Sequence, residues 1–229
     1  VLLPSLSKAI KKNKKEDIQM TQNRSLEFCL LISLPSAVGL FILSHPIINI
    51  LFERGAFLAI DTIYTAKVLS IFALGLPAYI LTKVLIICFF AREDTKTPLY
   101  VSLVTVILNI VLSLLLIGSM REMGIASATA ISAWINTSLL FLLLHYRGLL
   151  ELDSQLIRNS LKIIISMIIM FGVCFFSNKF LFDNVANLSF LFKLSGLLLI
   201  ILICKIIYLG MIFMLNVITI ADLKGYIKK

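Results

Sequence analysis

Charge is what this chain lacks most. Only 33 of its 229 residues are Asp, Glu, Lys or Arg, against 60% hydrophobic residues and a mean hydropathy of +1.04. So few polar groups cannot clothe a globule in water, which excludes a soluble domain. Histidine occurs twice, and His45 and His145 lie at the ends of different apolar runs. Phosphate-binding glycine loops, His-Glu-x-x-His and any Ser/His/Asp grouping are missing. Acidic clusters with metal-ligand spacing are also missing, so no cofactor, no metal and no chemical catalysis is expected. Cys29, Cys88, Cys174 and Cys204 fall one each in four apolar runs, too far apart in sequence to suggest a metal site or redox pair, and read as small hydrophobes. The chain opens Val1-Leu2-Leu3-Pro4, without an initiator methionine or the basic start of a signal peptide. It is read as the C-terminal portion of a longer protein.

What is there is six long apolar runs: Leu26–Ser44, Val68–Phe90, Leu99–Gly118, Gly124–His145, Leu161–Ser177 and Leu194–Val217. Each is near or above the ~18–20 apolar residues that carry a helix across a ~30 Å hydrocarbon core. Backbone groups in lipid must be satisfied within the segment, so helices are required; barrel strands would alternate in polarity over ~10 residues. The expected fold class is all-α, a polytopic bundle of six transmembrane helices.

The +9 net charge could suggest nucleic acid, but the cations sit between apolar runs without interleaved aromatics, so no nucleic-acid partner is expected. Six crossings place both ends of the chain on one side. Alternate connections then put fourteen Lys and Arg on that side and five on the other, with Lys83 and Lys205 inside the membrane. The excess marks the cytoplasmic side, so both termini are expected there. The basic connector from Lys8 to Arg24 is read as a solvated loop or a short surface helix near anionic membrane lipids.

Residues that break the apolar pattern are the candidates for function. Lys83 lies mid-run, where a cation costs on the order of 3 kcal/mol. The polar flank at Arg92 is ~14 Å further along a helix, so snorkelling covers only part of the way. Lys83 is therefore the candidate functional cation, against the alternatives of a structural ion pair or a snorkel; its role in binding substrate is what the resemblance given below implies. Lys205, with little polar company, reads as structural. Pro35 should kink the first run near Leu31–Leu34, and Gly75 with Pro77 could bend the second. Ala126, Ala128, Thr129, Ala130, Ser132 and Ala133 give small residues at four-residue spacing, a packing face. Asn109 and Asn136 are expected to hydrogen-bond across helices. In the connections, Phe52-Glu53-Arg54-Gly55-Ala56-Phe57 leads to Asp61. Ala91-Arg92-Glu93-Asp94-Thr95-Lys96-Thr97-Pro98 reads as a tight turn, with Thr95 or Thr97 as cap and Pro98 in the first helical turn.

Several of these strings together resemble the MurJ (MviN) family of bacterial lipid II flippases. They are Leu2-Leu-Pro-Ser-Leu-Ser7, Leu34-Pro-Ser-Ala-Val-Gly39, Leu51-Phe-Glu-Arg-Gly-Ala-Phe57 with Asp61, Gly75-Leu76, Lys83-Val-Leu85, Phe89 to Pro98 and Trp134-Ile-Asn-Thr-Ser-Leu139. The likeness runs over roughly residues 1–145; beyond about residue 150 it is one of hydropathy only. It implies an exporter of fourteen helices, two six-helix lobes around a cavity and two further helices forming a groove for a lipid tail. Residues 1–25 would be the end of a preceding helix and a cytoplasmic connector. Residues 26–146 would be four helices of the second lobe, and 147–229 the groove pair and a cytoplasmic tail. The cargo implied is lipid II, an undecaprenyl-pyrophosphate-linked disaccharide-pentapeptide, moved across the inner membrane by alternating access, with the cell-wall synthesis machinery as a further partner. On the same resemblance Lys83 matches a family lysine, and Pro35, Glu53, Arg54, Arg92, Asp94, Pro98 and Asn136 fall in structural or gating positions. The alternatives are a related exporter of other lipid-linked sugars or drugs, a non-transporting assembly subunit, and a membrane enzyme acting on polyprenyl lipids, the last disfavoured for want of an acidic metal-binding cluster.

Overall fold

A computed structural model describes residues 6, 7, 10, 15–182 and 190–217. Beyond the helical residues 6, 7 and 10, seven helices succeed one another among the described residues: α1 Lys15–Ile42, α2 Ser44–Phe52, α3 Ala59–Phe90, α4 Lys96–Met120, α5 Glu122–Tyr146, α6 Ser154–Phe182 and α7 Phe190–Met214. All but α2 are long and apolar enough to cross a membrane. Every apolar run forms a helix, and no strand occurs among the described residues.

Two boundaries differ from the sequence reading. α1 begins within the basic connector, so the connector's last stretch forms the polar first turns of a spanning helix, not a separate surface helix. Gln22 and Asn23 there are fully buried, because hydrogen bonds to the connector between α5 and α6 replace hydrophobic burial. The part of the connector at 8–9 and 11–14, the chain start at 1–5 and the tail at 218–229 lie outside the described residues. The second difference is α2, which fills what reads as a loop. Its Ile48 and Ile50 are buried, and the helix packs on α3 and α7.

Side by side, the helices run α4, α5, α3, α1, α6, α7, with α2 bridging α3 and α7. α3 and α5 are parallel neighbours: Trp134 Nε1 donates to Leu74 O (3.0 Å), and Thr137 Oγ1 lies 2.9 Å from Ala78 O and 2.7 Å from Thr82 Oγ1. These threonine and tryptophan bonds do the cross-helix work expected of asparagine. Asn109 accepts from Ser113 on its own helix (3.1 Å), and the buried Asn136 Oδ1 has no hydrogen-bond partner among the described residues. The small-residue face packs as expected, with Ala126, Ala128, Ala130 and Ser132 buried. At Gly124 the approach is closest: a Cβ there would stand 2.5 Å from Leu116 O on α4.

Three helices end in the same way. α3, α5 and α7 close with a six-to-one bond, Asp94 N to Phe89 O, Leu149 N to Leu144 O and Val217 N to Ile212 O, around a left-handed residue: Glu93, Gly148 or Asn216. Glycine is the usual occupant. At Glu93 the left-handed turn is held by the neighbouring Asp94, whose carboxyl is anchored to Thr97 at the start of α4.

Candidate functional site

At the end of the bundle where α1, α6 and the connectors after α3 and α5 meet, polar side chains form three hydrogen-bonded groups, around Arg24, Arg92 and Asp94. Arg24 of α1 pairs with Glu27 one turn on and with Asp153, whose other oxygen accepts from Leu156 N (2.6 Å) and so caps α6. Glu27 also accepts from Asn159 Nδ2 of α6 (2.6 Å). Arg92 donates to Cys88 O (2.7 Å) and Leu149 O (3.0 Å), and Gln22, with its amide turned to satisfy both ends, joins Arg92 and Leu149 O. Asp94 binds Thr97 twice, through Oγ1 (2.7 Å) and the backbone N–H (3.0 Å), and Arg147 pairs with it at 2.8 Å while lying over the Phe89 ring. The Thr97 bonds, with Arg147 in support, hold the Asp94 carboxyl below its usual range. The cap of α4 is thus Asp94, not Thr95 or Thr97: Thr95 has helical backbone angles and makes no side-chain cap bond. Pro98, buried, sits in the first turn as expected. Arg92, Asp94 and Pro98 are brought together here as parts of a rigid corner.

At the other end, Glu53 takes hydrogen bonds from Thr62 Oγ1 (2.6 Å) and Asn49 Nδ2 (2.7 Å), and the Thr62 bond chiefly lowers its pKa. Arg54 donates to Leu51 O (2.7 Å), and Asp61 receives the Leu58 N–H (2.9 Å) that opens α3. Both residues bond to α2, Arg54 at its last turn and Glu53 at Asn49, and Glu53 alone of the two also reaches α3, through Thr62.

Lys83 stands on α3 with its side chain exposed and without a hydrogen-bond or ion-pair partner among the described residues. Leu74, Ala78 and Leu85, which pack toward α5 and α1, lie about half a turn round the helix from it. Tyr79, one turn before Lys83, shares its side of α3. The Tyr79 ring lies over Gly75, where a Cβ would be 3.0 Å away, so this glycine makes room for an aromatic ring and α3 runs unbroken past Pro77. On α5, Asn136 lies on the side away from Trp134 and Ser138 by the same helical spacing. Lys83 therefore lies outside three apolar clefts among the described residues, those at Trp134, at Pro35 and at Phe141.

The cleft that reaches a proline lies between α1, α2, α6 and α7, a groove of about 410 Å³ lined by Leu31, Pro35, Ile47, Cys174, Lys205 and Tyr208 among others. Its walls are apolar apart from Lys205, Tyr208 and Ser36. Cys174 and Cys204 touch across the α6–α7 seam, a pairing that their spacing in sequence conceals. α1 continues through Pro35 to Ile42, so the proline does not end the helix. The carbonyl it deprives of a partner, Leu31 O, accepts from Tyr208 Oη at 2.7 Å.

A family model described as "Lipid II flippase MurJ" matches residues 1–196. The chain belongs to the MurJ lipid II flippase family. Proteins named "Probable lipid II flippase MurJ" are similar along its length. That of Rhizobium tropici is 37% identical over the whole chain and 43% of its own length. That of Rickettsia prowazekii is 38% identical over 95% of the chain and 43% of its own length, and that of Rhizobium meliloti 41% over 74% of the chain and 32% of its own. The chain thus spans less than half the length of these MurJ relatives. The MurJ match extends past residue 150 into α6 and the first turns of α7, so relatedness there is more than hydropathy.

Sequence reasoning missed Tyr208, Asp153, Arg24 and Asn159. Each acts on a residue far away in the chain, and none breaks the local pattern. Asp153 carried one readable signal, an acidic residue just ahead of an apolar helix.

Proposed function

We propose that the chain forms the second lobe and the tail groove of a lipid II flippase. The protein would carry an undecaprenyl-pyrophosphate-linked peptidoglycan precursor from the cytoplasmic to the periplasmic leaflet of the bacterial inner membrane, by alternating access and without chemical catalysis. The observation that carries this reading is the family match over residues 1–196. Physically, the cargo's difficulty is its pyrophosphate head, which needs a cationic, hydrated path through hydrocarbon while the tail stays in lipid.

The cytoplasmic side would be the end of the bundle that carries Arg24, Arg92 and Arg147, with both termini there. Lys83 is the cation offered to the head group. It stands in the apolar part of α3, exposed and unpaired among the described residues, on the side of the helix turned away from its neighbours α1 and α5. The groove beside Pro35 and Tyr208, with its largely apolar lining, suits an isoprenoid chain in polarity. Asn136 is offered as a structural or gating residue on α5. Pro35, Glu53, Arg54, Arg92, Asp94 and Pro98 hold the helix ends and breaks that would have to keep their shape, or change it, as the opening moves between leaflets.

The test uses the full-length gene in a bacterium depleted of its own lipid II flippase, tracking growth and lipid II exposed on the outer leaflet. Rescue of both is the expected result. An expressed, inserted protein that rescues neither transfers the reading to an exporter of other amphiphiles. In the rescuing protein, Lys83→Ala should impair flipping more than insertion, and unimpaired flipping would remove Lys83 from the path.

A further inference from the structure

We infer that Tyr208 is a positioning residue that latches α7 to α1 at the turn where α1 is weakest. Proline at 35 has no N–H to give, so the carbonyl four residues back, Leu31 O, is left without its helical donor. In a bilayer interior that carbonyl has no water to turn to, and leaving it bare is unfavourable. The Tyr208 hydroxyl takes the place of the missing N–H at 2.7 Å, with Tyr208 only 4% and Leu31 8% exposed. The same turn is loosened a second time, because Ser36 Oγ bonds back to Ile32 O at 2.8 Å, a contact that bends helices.

The consequence is geometric. Beyond Pro35 the helix leads to the break at Leu43 and then to α2, which itself touches α7. A hydroxyl from α7, together with the packing of α2 on α7, therefore fixes the direction of α1 at its hinge. The groove has one wall on each side of that bond, with Pro35 and Gly39 on α1 and Cys204 and Lys205 on α7. Holding Leu31 to Tyr208 holds the groove at one width. Without the hydroxyl the segment 36–52 swings relative to α7 and the groove loses its shape. That the groove takes an isoprenoid chain rests on the function proposed above; the latch does not.

The test is made on the full-length protein in lipid nanodiscs, with the four cysteines of this chain and any others replaced by alanine. Spin labels go at two exposed sites on either side of the hinge, Phe41 on α1 and Leu198 on α7, and pulsed electron resonance reads the distance distribution. Tyr208→Phe, which removes one oxygen, should raise the population of displaced conformers roughly fivefold, the effect of losing one interhelical hydrogen bond in a membrane. Adding Pro35→Ala restores an N–H to Leu31 O, so the double variant should return to the narrow distribution. An unchanged distribution in Tyr208→Phe overturns the latch. So does a double variant that inserts normally but stays broad, because the hydroxyl would then act elsewhere than on that carbonyl. Tyr208→Phe alone remains decisive if Pro35→Ala does not insert. Lipid II enters neither measurement, so failure of the flippase reading would leave the expected distances as they are.

Discussion

Arg24 on α1 reaches Asp153, the residue that caps α6, while its other nitrogen holds Glu27 on its own helix. One guanidinium thus serves two carboxylates and joins two helices that lie far apart in sequence. Glu27 is only 8% exposed, so the pair is far from a surface salt bridge. Removing the cation alone leaves the buried Glu27 carboxylate with the Asn159 amide but without the Arg24 charge. Arg24→Met should lower stability by about 3 kcal/mol, and Arg24→Met with Glu27→Gln by clearly less. Thermal unfolding of the full-length variants in detergent checks the order, and equal losses would mean that Glu27 does not depend on Arg24.

The approach of α4 to α5 depends on Gly124. A methyl group there meets the Leu116 carbonyl, a backbone atom that cannot rotate aside. Gly124→Ala should destabilise by about 1–3 kcal/mol. Gly118→Ala, where nothing lies within 4 Å, is the control and should be neutral or slightly stabilising. Comparable losses at both positions would indicate a general intolerance of α4 and its neighbour to alanine.

Contact between Cys174 and Cys204 makes the α6–α7 seam measurable. A short thiol-to-thiol cross-linker should join them within one polypeptide in membranes, and replacing either by alanine should abolish the product. Mono-reacted thiols alone, under conditions that cross-link a control pair, would place α7 differently against α6.

Asp94 gives a pH dependence of definite sign. Its carboxyl is held below the ordinary 3.8 by Thr97 and then by Arg147. A depressed acid contributes stability above its unfolded value and loses it as pH falls through the folded one. Wild type should therefore exceed Asp94→Asn in unfolding temperature at neutral pH, and the gap should close as pH drops below about 4. A gap that persists unchanged to low pH would assign the difference to the cap geometry and not to the charge.

The spanning helices were legible because each carries its own signal, a run of apolar residues of the right length. Helix ends were less so. α1 starts earlier than its apolar run because Gln22 and Asn23 bond to a connector reached much later in the chain, and α2 hides between two turns. Pro35 announced a weak point in α1, but nothing local announces what mends it: Tyr208 is 177 residues from Leu31. The cap at Asp94 was missed for a smaller reason, since Thr95, Thr97 and Asp94 are all good cap residues and only the backbone angles choose among them. Lys83 was visible as a charge in an apolar run; which way it faces depended on finding α1 and α5 on the opposite side of α3.

The order of neighbours has a mechanical meaning. α6 and α7 meet the α3–α5 group chiefly through α1 and the short α2. The described helices are therefore coupled nearly in series, and a displacement applied at α7 reaches α4 chiefly by way of α1, with the short α2 as a second bridge to α3. In a series linkage the softest member takes most of the strain. That member is the turn of α1 at Pro35, and its stiffness sets how far the two ends of the row can move independently.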